Sequence, residues 1–115
     1  SRVDMPVVYA PEDFLDSSVN EIEWKLIGKA FPNRAMSFLV ECLPVGSDTG
    51  EDMYVHEGEE AGYVLSGKFE LTVDGKIYVL EAGQGYYFDS RLEHRFRNPF
   101  NEDCRLCSCT SPADL

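Results

Sequence analysis

Two histidines occur in the 115 residues, and both lie in one stretch, 54–98. His56 sits in Tyr54-Val55-His56-Glu57-Gly58-Glu59-Glu60, and His94 sits in Glu93-His94-Arg95-Phe96-Arg97-Asn98. Between them runs a glycine-punctuated series of alternating apolar residues, which is the period of strands. If that series folds back on itself, His56, Glu60 and His94 converge on one point. Two imidazole nitrogens and a carboxylate form a ligand set suited to a divalent transition metal. Glu59 competes with Glu60 for the carboxylate position, because an intervening turn breaks the period-two parity that would separate them. A lone histidine is usually a surface or structural residue; a pair at strand-like positions, with a carboxylate four residues after the first, argues for more. Tyr54 is a poor ligand while its phenol, with a pKa of about 10, keeps its proton. It is expected to donate a hydrogen bond to a ligand or a metal-bound water, or simply to pack its ring.

These side chains need strands to hold them. Ile22, Trp24 and Leu26 alternate with Glu21, Glu23 and Lys25, a half-buried strand with Trp24 toward a core. Met36, Phe38, Val40 and Cys42 alternate with Ser37, Leu39, Glu41 and Leu43, a mostly apolar run that predicts a strand covered on both faces. Further short strands are expected at 7–9, 53–56, 63–65, 86–88 and 104–110, with loops at 17–20 and 44–52. The strongest local signal is Asp74-Gly75 between Phe69, Leu71, Val73 and Ile77, Val79, which predicts a two-residue type I′ hairpin because both turn residues must take positive φ. His94, Phe96 and Asn98 fall on one face of a strand and Arg95 and Arg97 on the other. Apolar residues nowhere recur at helical spacing for three turns. Short strands with turn signals every 8–12 residues predict an all-β sandwich or barrel.

The totals narrow the function classes. The length is that of one domain, and no apolar run reaches the ~18 residues that a membrane span needs. Ten basic against 21 acidic residues give a net charge of −11, which repels a polyanion and argues against direct nucleic-acid binding. Of the four cysteines, Cys107 and Cys109 alternate as buried strand residues would, and no second pair completes a zinc set with Cys104. Reduced thiols and a cytoplasmic location follow. Arg91, Arg95 and Arg97 read as a solvated edge balancing nearby acids. Glu41, Arg34, Tyr63 and Tyr87 are within reach of the pocket as alternatives, but each reads more readily as surface or core.

His56, three residues, Glu60, six residues, Gly67 resembles the first motif of the cupins; Gly83, five residues, Asp89, then Arg91, two residues, His94, three residues, Asn98 resembles the second. The motif spacing to Gly67 favours Glu60 over Glu59. Tyr54 stands where most metal-binding cupins have a first histidine, Asp89 where the second motif has proline, and Arg91 where it has glycine. His56-Glu57-Gly58-Glu59-Glu60, Gly62-Tyr63-Val64-Leu65, Tyr86-Tyr87-Phe88-Asp89-Ser90 and His94-Arg95-Phe96-Arg97-Asn98-Pro99 are further similar to the cupin effector domain of bacterial XRE-type helix-turn-helix regulators.

The resemblance implies a single cupin-type barrel (a jelly-roll-like double-stranded β-helix) over 1–115. Within it, 1–33 would form N-terminal strands and loops and 34–110 the barrel proper, with a DNA-binding domain upstream and outside this chain. It implies that His56, Glu60 and His94 hold zinc, nickel, manganese or iron, with occupancy falling as pH drops through the imidazole range, and that Tyr54, His56, Glu60 and His94 contact a small polar metabolite. A homodimer is the family expectation. The leading function is an effector-binding domain without catalysis, and the acidic balance tilts its ligand toward an amine. The alternatives are a small metalloenzyme of dioxygenase, isomerase or decarboxylase type, and a sugar-binding module.

Overall fold

The computed structural model describes residues 1–50, 53 and 55–115. Among these described residues nine strands make two antiparallel sheets: β1 (Leu15–Val19), β2 (Ile22–Ile27), β3 (Ser37–Leu43), β4 (Glu59–Ser66), β5 (Lys68–Val73), β6 (Lys76–Glu81), β7 (Gly85–Asp89), β8 (His94–Arg97) and β9 (Cys104–Ser111). One sheet has the order β1-β2-β3-β9-β4-β7 and the other β6-β5-β8. The fold is all-β, as the alternation predicts; among the described residues the helical ones are the short 3₁₀ turns Arg2–Asp4 and Pro11–Asp13.

The two sheets face each other across a core of Ile22, Leu43, Val64, Phe69, Leu71, Leu80, Phe96, Cys104 and Leu106. Phe69 is its hub, fully buried, stacked on Phe96 at 5.5 Å between centroids and edge-on to Tyr86 at 6.3 Å. The β5–β6 turn forms as predicted: Asp74 and Gly75 take φ of 51° and 77°, and Lys76 pairs with Val73 directly beyond them.

Several expectations are corrected. Val7, Val8 and Tyr9 form no strand; Pro6 and Pro11 flank them, and no neighbouring strand pairs with them. Ser17, Ser18 and Val19, expected as loop, belong to β1, an edge strand exposed along its whole length. Backbone pairing with β2 holds it, and the Asn20-Glu21 turn, with φ of 50° and 70°, makes the hairpin possible. Apolar periodicity is blind to a strand held that way. Met53, Val55 and His56 lie outside any strand, while β4 begins earlier than expected, at Glu59.

β3 is covered on one face only. Ser37, Leu39 and Leu43 are buried, whereas Phe38 remains 40% exposed. On β9 the predicted parity is reversed: Cys104, Leu106, Ser108 and Thr110 point inward, and Cys107 and Cys109 outward. The inward polar pair lines a cavity, so polarity misreports the direction of this strand. All four cysteines are free thiols.

Candidate functional site

β4 carries Glu60 inward and Glu59 outward, which separates the two candidates: Glu60 is 7% exposed, and exposed Glu59 accepts a hydrogen bond from the Tyr87 hydroxyl at 2.8 Å. β8 carries His94 inward at 1% exposure, paired directly with Val73 at the end of β5. His56 approaches from the segment before β4, where its backbone N–H donates to Ser90 O at 3.0 Å. His56 Nε2 and His94 Nε2 lie 3.8 and 3.9 Å from Glu60 Oε1, and all three ligand atoms fall within 4.8 Å of one another. The structure therefore brings His56, Glu60 and His94 together. Tyr54 lies outside the described residues.

The imidazoles are oriented by the backbone. His94 Nδ1 is 2.7 Å from Leu92 O, and His56 Nδ1 is 3.3 Å from Glu57 O. A carbonyl can only accept, so each Nδ1 carries a proton, and each ring turns its Nε2 toward Glu60. Glu60 Oε2 accepts from the Tyr86 hydroxyl at 2.8 Å, which fixes the carboxylate. Ligands of a tetrahedral ion at 2.0–2.1 Å lie roughly 3.4 Å apart, so the pairs at 3.8 and 3.9 Å, in a cluster whose atoms all fall within 4.8 Å, would close on a metal by side-chain adjustment.

Electrostatics favour a cation here. Burial pushes Glu60 up to about 8, against the hydrogen bond from Tyr86, and the nearby Glu41 and Asp114 push it further. Burial holds His94 below the usual imidazole range, offset by its Leu92 hydrogen bond, and His56 adds to the lowering. Near neutral pH the pocket thus holds an uncharged His94 imidazole and a carboxyl group whose ionisation burial opposes; a positive charge placed beside them reverses that opposition.

The site opens into a cavity of about 270 Å³ within the larger sheet's inner face. Trp24, Glu41, Ser108, Thr110 and Asp114 share its lining with His56, Glu60 and His94. Ser108 donates to Glu41 Oε2 at 2.7 Å and Thr110 to Asp114 Oδ1 at 2.8 Å, while burial raises the pKa of Glu41. Sequence reasoning ranked surface or core above the pocket for Glu41 and passed over Ser108, Thr110 and Tyr86. The available signal was parity: Glu41 shares the inward face of β3 with Leu39 and Leu43, and Ser108 and Thr110 share that of β9 with Leu106. Arg34 does not line this cavity; it donates to Met36 O and Ser37 Oγ. Tyr63 and Tyr87 are exposed. Asn98 is fully buried as a turn anchor, bonding Leu43 O, Glu102 O and Phe100 N. The arginines are paired with acids as expected, Arg91 to Asp89, Arg95 to Asp48 and Arg97 to Glu70.

Gly62 makes room for the tyrosine that fixes Glu60. A Cβ there would lie 2.3 Å from Tyr86 Cε2, and that ring is wedged against Phe69, Phe88 and Phe96. Gly62→Ala is expected to cost ~1–3 kcal/mol through overpacking. It should also weaken divalent-metal affinity at least tenfold by displacing a partner of a ligating carboxylate. Thermal melts alongside a zinc titration check both; unchanged affinity would show that Tyr86 does not orient Glu60.

Residues 39–110 match the cupin domain family. The HTH-type transcriptional regulator PuuR of Escherichia coli (strain K12) is 35% identical over 106 residues, which is 92% of this chain and 57% of that protein. The chain thus spans little more than half the length of this relative. Among solved structures, an RmlC-like cupin from Shewanella frigidimarina superposes with a TM-score of 0.79 at 22% identity, over 96% of this chain and 94% of that one. The cupin domain of an XRE family transcriptional regulator from Enterobacter cloacae superposes with a TM-score of 0.69 at 22% identity, over 78% and 95%. The barrel geometry, the inward His56, Glu60 and His94, and the match over most of the sequence lead to one conclusion: this chain belongs to the cupin family.

Proposed function

We propose that this chain is the effector-binding domain of a bacterial helix-turn-helix transcriptional regulator, working in the cytoplasm as a homodimer and joined to a DNA-binding domain that lies outside 1–115. The observation that carries the reading is a cavity of about 270 Å³ lined by His56, Glu60 and His94 together with Glu41 and Asp114, in a chain 35% identical to a regulator of that kind. His56, Glu60 and His94 would hold one zinc, nickel, manganese or iron ion, which supplies a Lewis-acidic anchor for a donor atom of the effector. Around it the protein's own groups orient the ligand. Tyr86 fixes Glu60, and Ser108 holds Glu41 facing the cavity. Tyr54 is proposed as a further ligand contact. With a net charge of −11, contact with DNA falls to the attached domain.

The cavity's carboxyl groups favour a small polar metabolite bearing an amine, since a cationic group relieves the cost of ionising Glu41 and Glu60. A sensor needs only differential affinity between two states. Thermal-shift screening of diamines, amino acids and dicarboxylates tests this. A matching amine at 100 times its Kd adds ~2.7 kcal/mol, which is roughly 10 °C in a domain of this size. Glu41→Gln should remove most of that shift. Stabilisation by dicarboxylates alone would reject the amine assignment. The metalloenzyme reading draws on the same open donor set. Turnover at about 1 per second or faster by metal-loaded protein, lost in His56→Ala, would replace the sensor reading with it.

A further inference from the structure

Beyond β9 the chain turns back over the cavity. Ser111 Oγ donates to Ala35 O at 2.8 Å, and past Pro112 and Ala113 the chain brings Asp114 and Leu115 to the wall of the cavity that holds His56, Glu60 and His94. Both residues are also exposed, Leu115 by 40%, so they stand between that cavity and water. The base of this segment presses on the loop that carries the first histidine. A Cβ on Gly58, midway between His56 and Glu60, would lie 1.9 Å from Ser111 O and 2.6 Å from Pro112 Cδ.

The far end of the segment is held by residues 34–37. The Asp114 and Leu115 N–H groups both donate to Ser37 Oγ at 3.2 Å, and Arg34 donates to the same oxygen at 3.3 Å and to Leu115 O. A hydroxyl oxygen accepts through two lone pairs, and the usual N–H···O length is about 2.9–3.0 Å. Three donors crowded on Ser37 Oγ at longer distances are therefore each poorly satisfied, which makes this a weak anchor. The carboxylate is better placed. Asp114 Oδ1 accepts from the hydroxyl of Thr110, a buried inward residue of β9, at 2.8 Å. An oriented charge on a weakly anchored backbone is the makeup of an element that opens locally at low cost.

We propose that 111–115 is a strap over the effector cavity and that Asp114 is its specificity-determining residue, accepting a hydrogen bond from a cationic group of the effector and seating the strap when that group is bound. The inference rests on the amine reading of the site given above, and adds the residue that selects the charge and the element that responds to it. Glu41 and Glu60 already place two carboxyl groups in the cavity, and seating the strap adds a third. Like charges oppose that step in the absence of a ligand, and a cation among them reverses the sign. The seated state therefore binds a cation more tightly than the released state does, and such differential affinity is what couples a ligand to a conformation. An anion gains nothing from seating, and a neutral molecule of the same shape gains only contact with Leu115.

Three probes of similar size and different charge, n-butylammonium, n-butanol and butyrate, test the proposal in NMR titrations at pH 7, with amide hydrogen exchange read at 114 and 115. Wild type is expected to prefer the ammonium over the alcohol by about tenfold or more. Its binding should slow exchange of both amides by a similar factor, and butyrate should not. Asp114→Asn keeps an acceptor for Thr110 and lies at the surface, so the fold is preserved. It should abolish both the preference and the slowing while leaving the affinity for n-butanol unchanged. Arg34→Ala, outside the cavity, should bring both amides to the exchange rate of an unstructured chain and shorten the residence of the ammonium, with circular dichroism unchanged. An ammonium preference lost in Glu41→Gln but kept in Asp114→Asn would overturn the assignment of Asp114 and leave the amine reading standing. A preference lost in Asp114→Asn, with amide exchange at 114 and 115 insensitive to every probe, would overturn the strap. No preference for the ammonium in wild type would overturn the amine reading and this inference together.

Discussion

Protein carrying His94→Ala is expected to lose its divalent metal, with affinity falling by more than ~100-fold. Displacing a mere partner of a ligand already costs 10–100-fold, and here one of three donors is removed. The structure also specifies how binding depends on pH, and it differs from the expectation built on imidazole alone. Glu60, raised to about 8 by burial, holds its proton at pH 7, whereas His94, lowered by burial, is already neutral there. Metal uptake at pH 7 should then release close to one proton, coming from the carboxyl group. Affinity should keep rising with pH until about 8 instead of levelling off above the imidazole range.

For the metal-free protein the sign is opposite. A carboxyl whose folded pKa lies above its unfolded value contributes fully below the unfolded value and loses that contribution as pH rises through the folded one. The apoprotein should therefore become less stable between about pH 4.5 and 8, and saturating metal should cancel the loss. Calorimetric titration in buffers of different ionisation enthalpy counts the protons. Absence of uptake of zinc, nickel, manganese and iron by wild type would reject the metal site and leave His56 and His94 as effector contacts.

Phe69→Ala is expected to destabilise the domain by ~3–5 kcal/mol, the range for emptying a buried aromatic site. In a chain of this size that lowers Tm by roughly 12–20 °C. The ring is fully buried and joins both sheets, lying against Phe96 of β8 and Tyr86 of β7. Those neighbours also belong to the site: Phe96 lines the cavity and Tyr86 binds Glu60. Metal affinity should therefore fall together with stability, while Phe69→Leu, which refills most of the volume, restores much of both. A melt lowered by under ~5 °C would mean that the core relaxes around the gap; an unchanged metal affinity would mean that core and site are uncoupled.

Sequence by itself determined whatever depends on local chemistry. The Asp74-Gly75 turn, the alternation of β2, β5 and β8 and the burial of His94, Phe96 and Asn98 on one face are legible because backbone φ preferences and period-two alternation act within a few residues. Tertiary structure decided what depends on pairing at a distance. β1 exists because β2 lies beside it, and Glu60 prevails over Glu59 because β7 and β9 flank β4 and fix which side faces the core. The polar Glu41, Ser108 and Thr110 face inward because the larger sheet curves around a cavity, while Cys107 and Cys109, the more core-like residues by type, face outward. Polarity predicts direction only where the interior is filled with side chains; around a binding cavity the inward positions are polar, and only the closed barrel shows which strands line it.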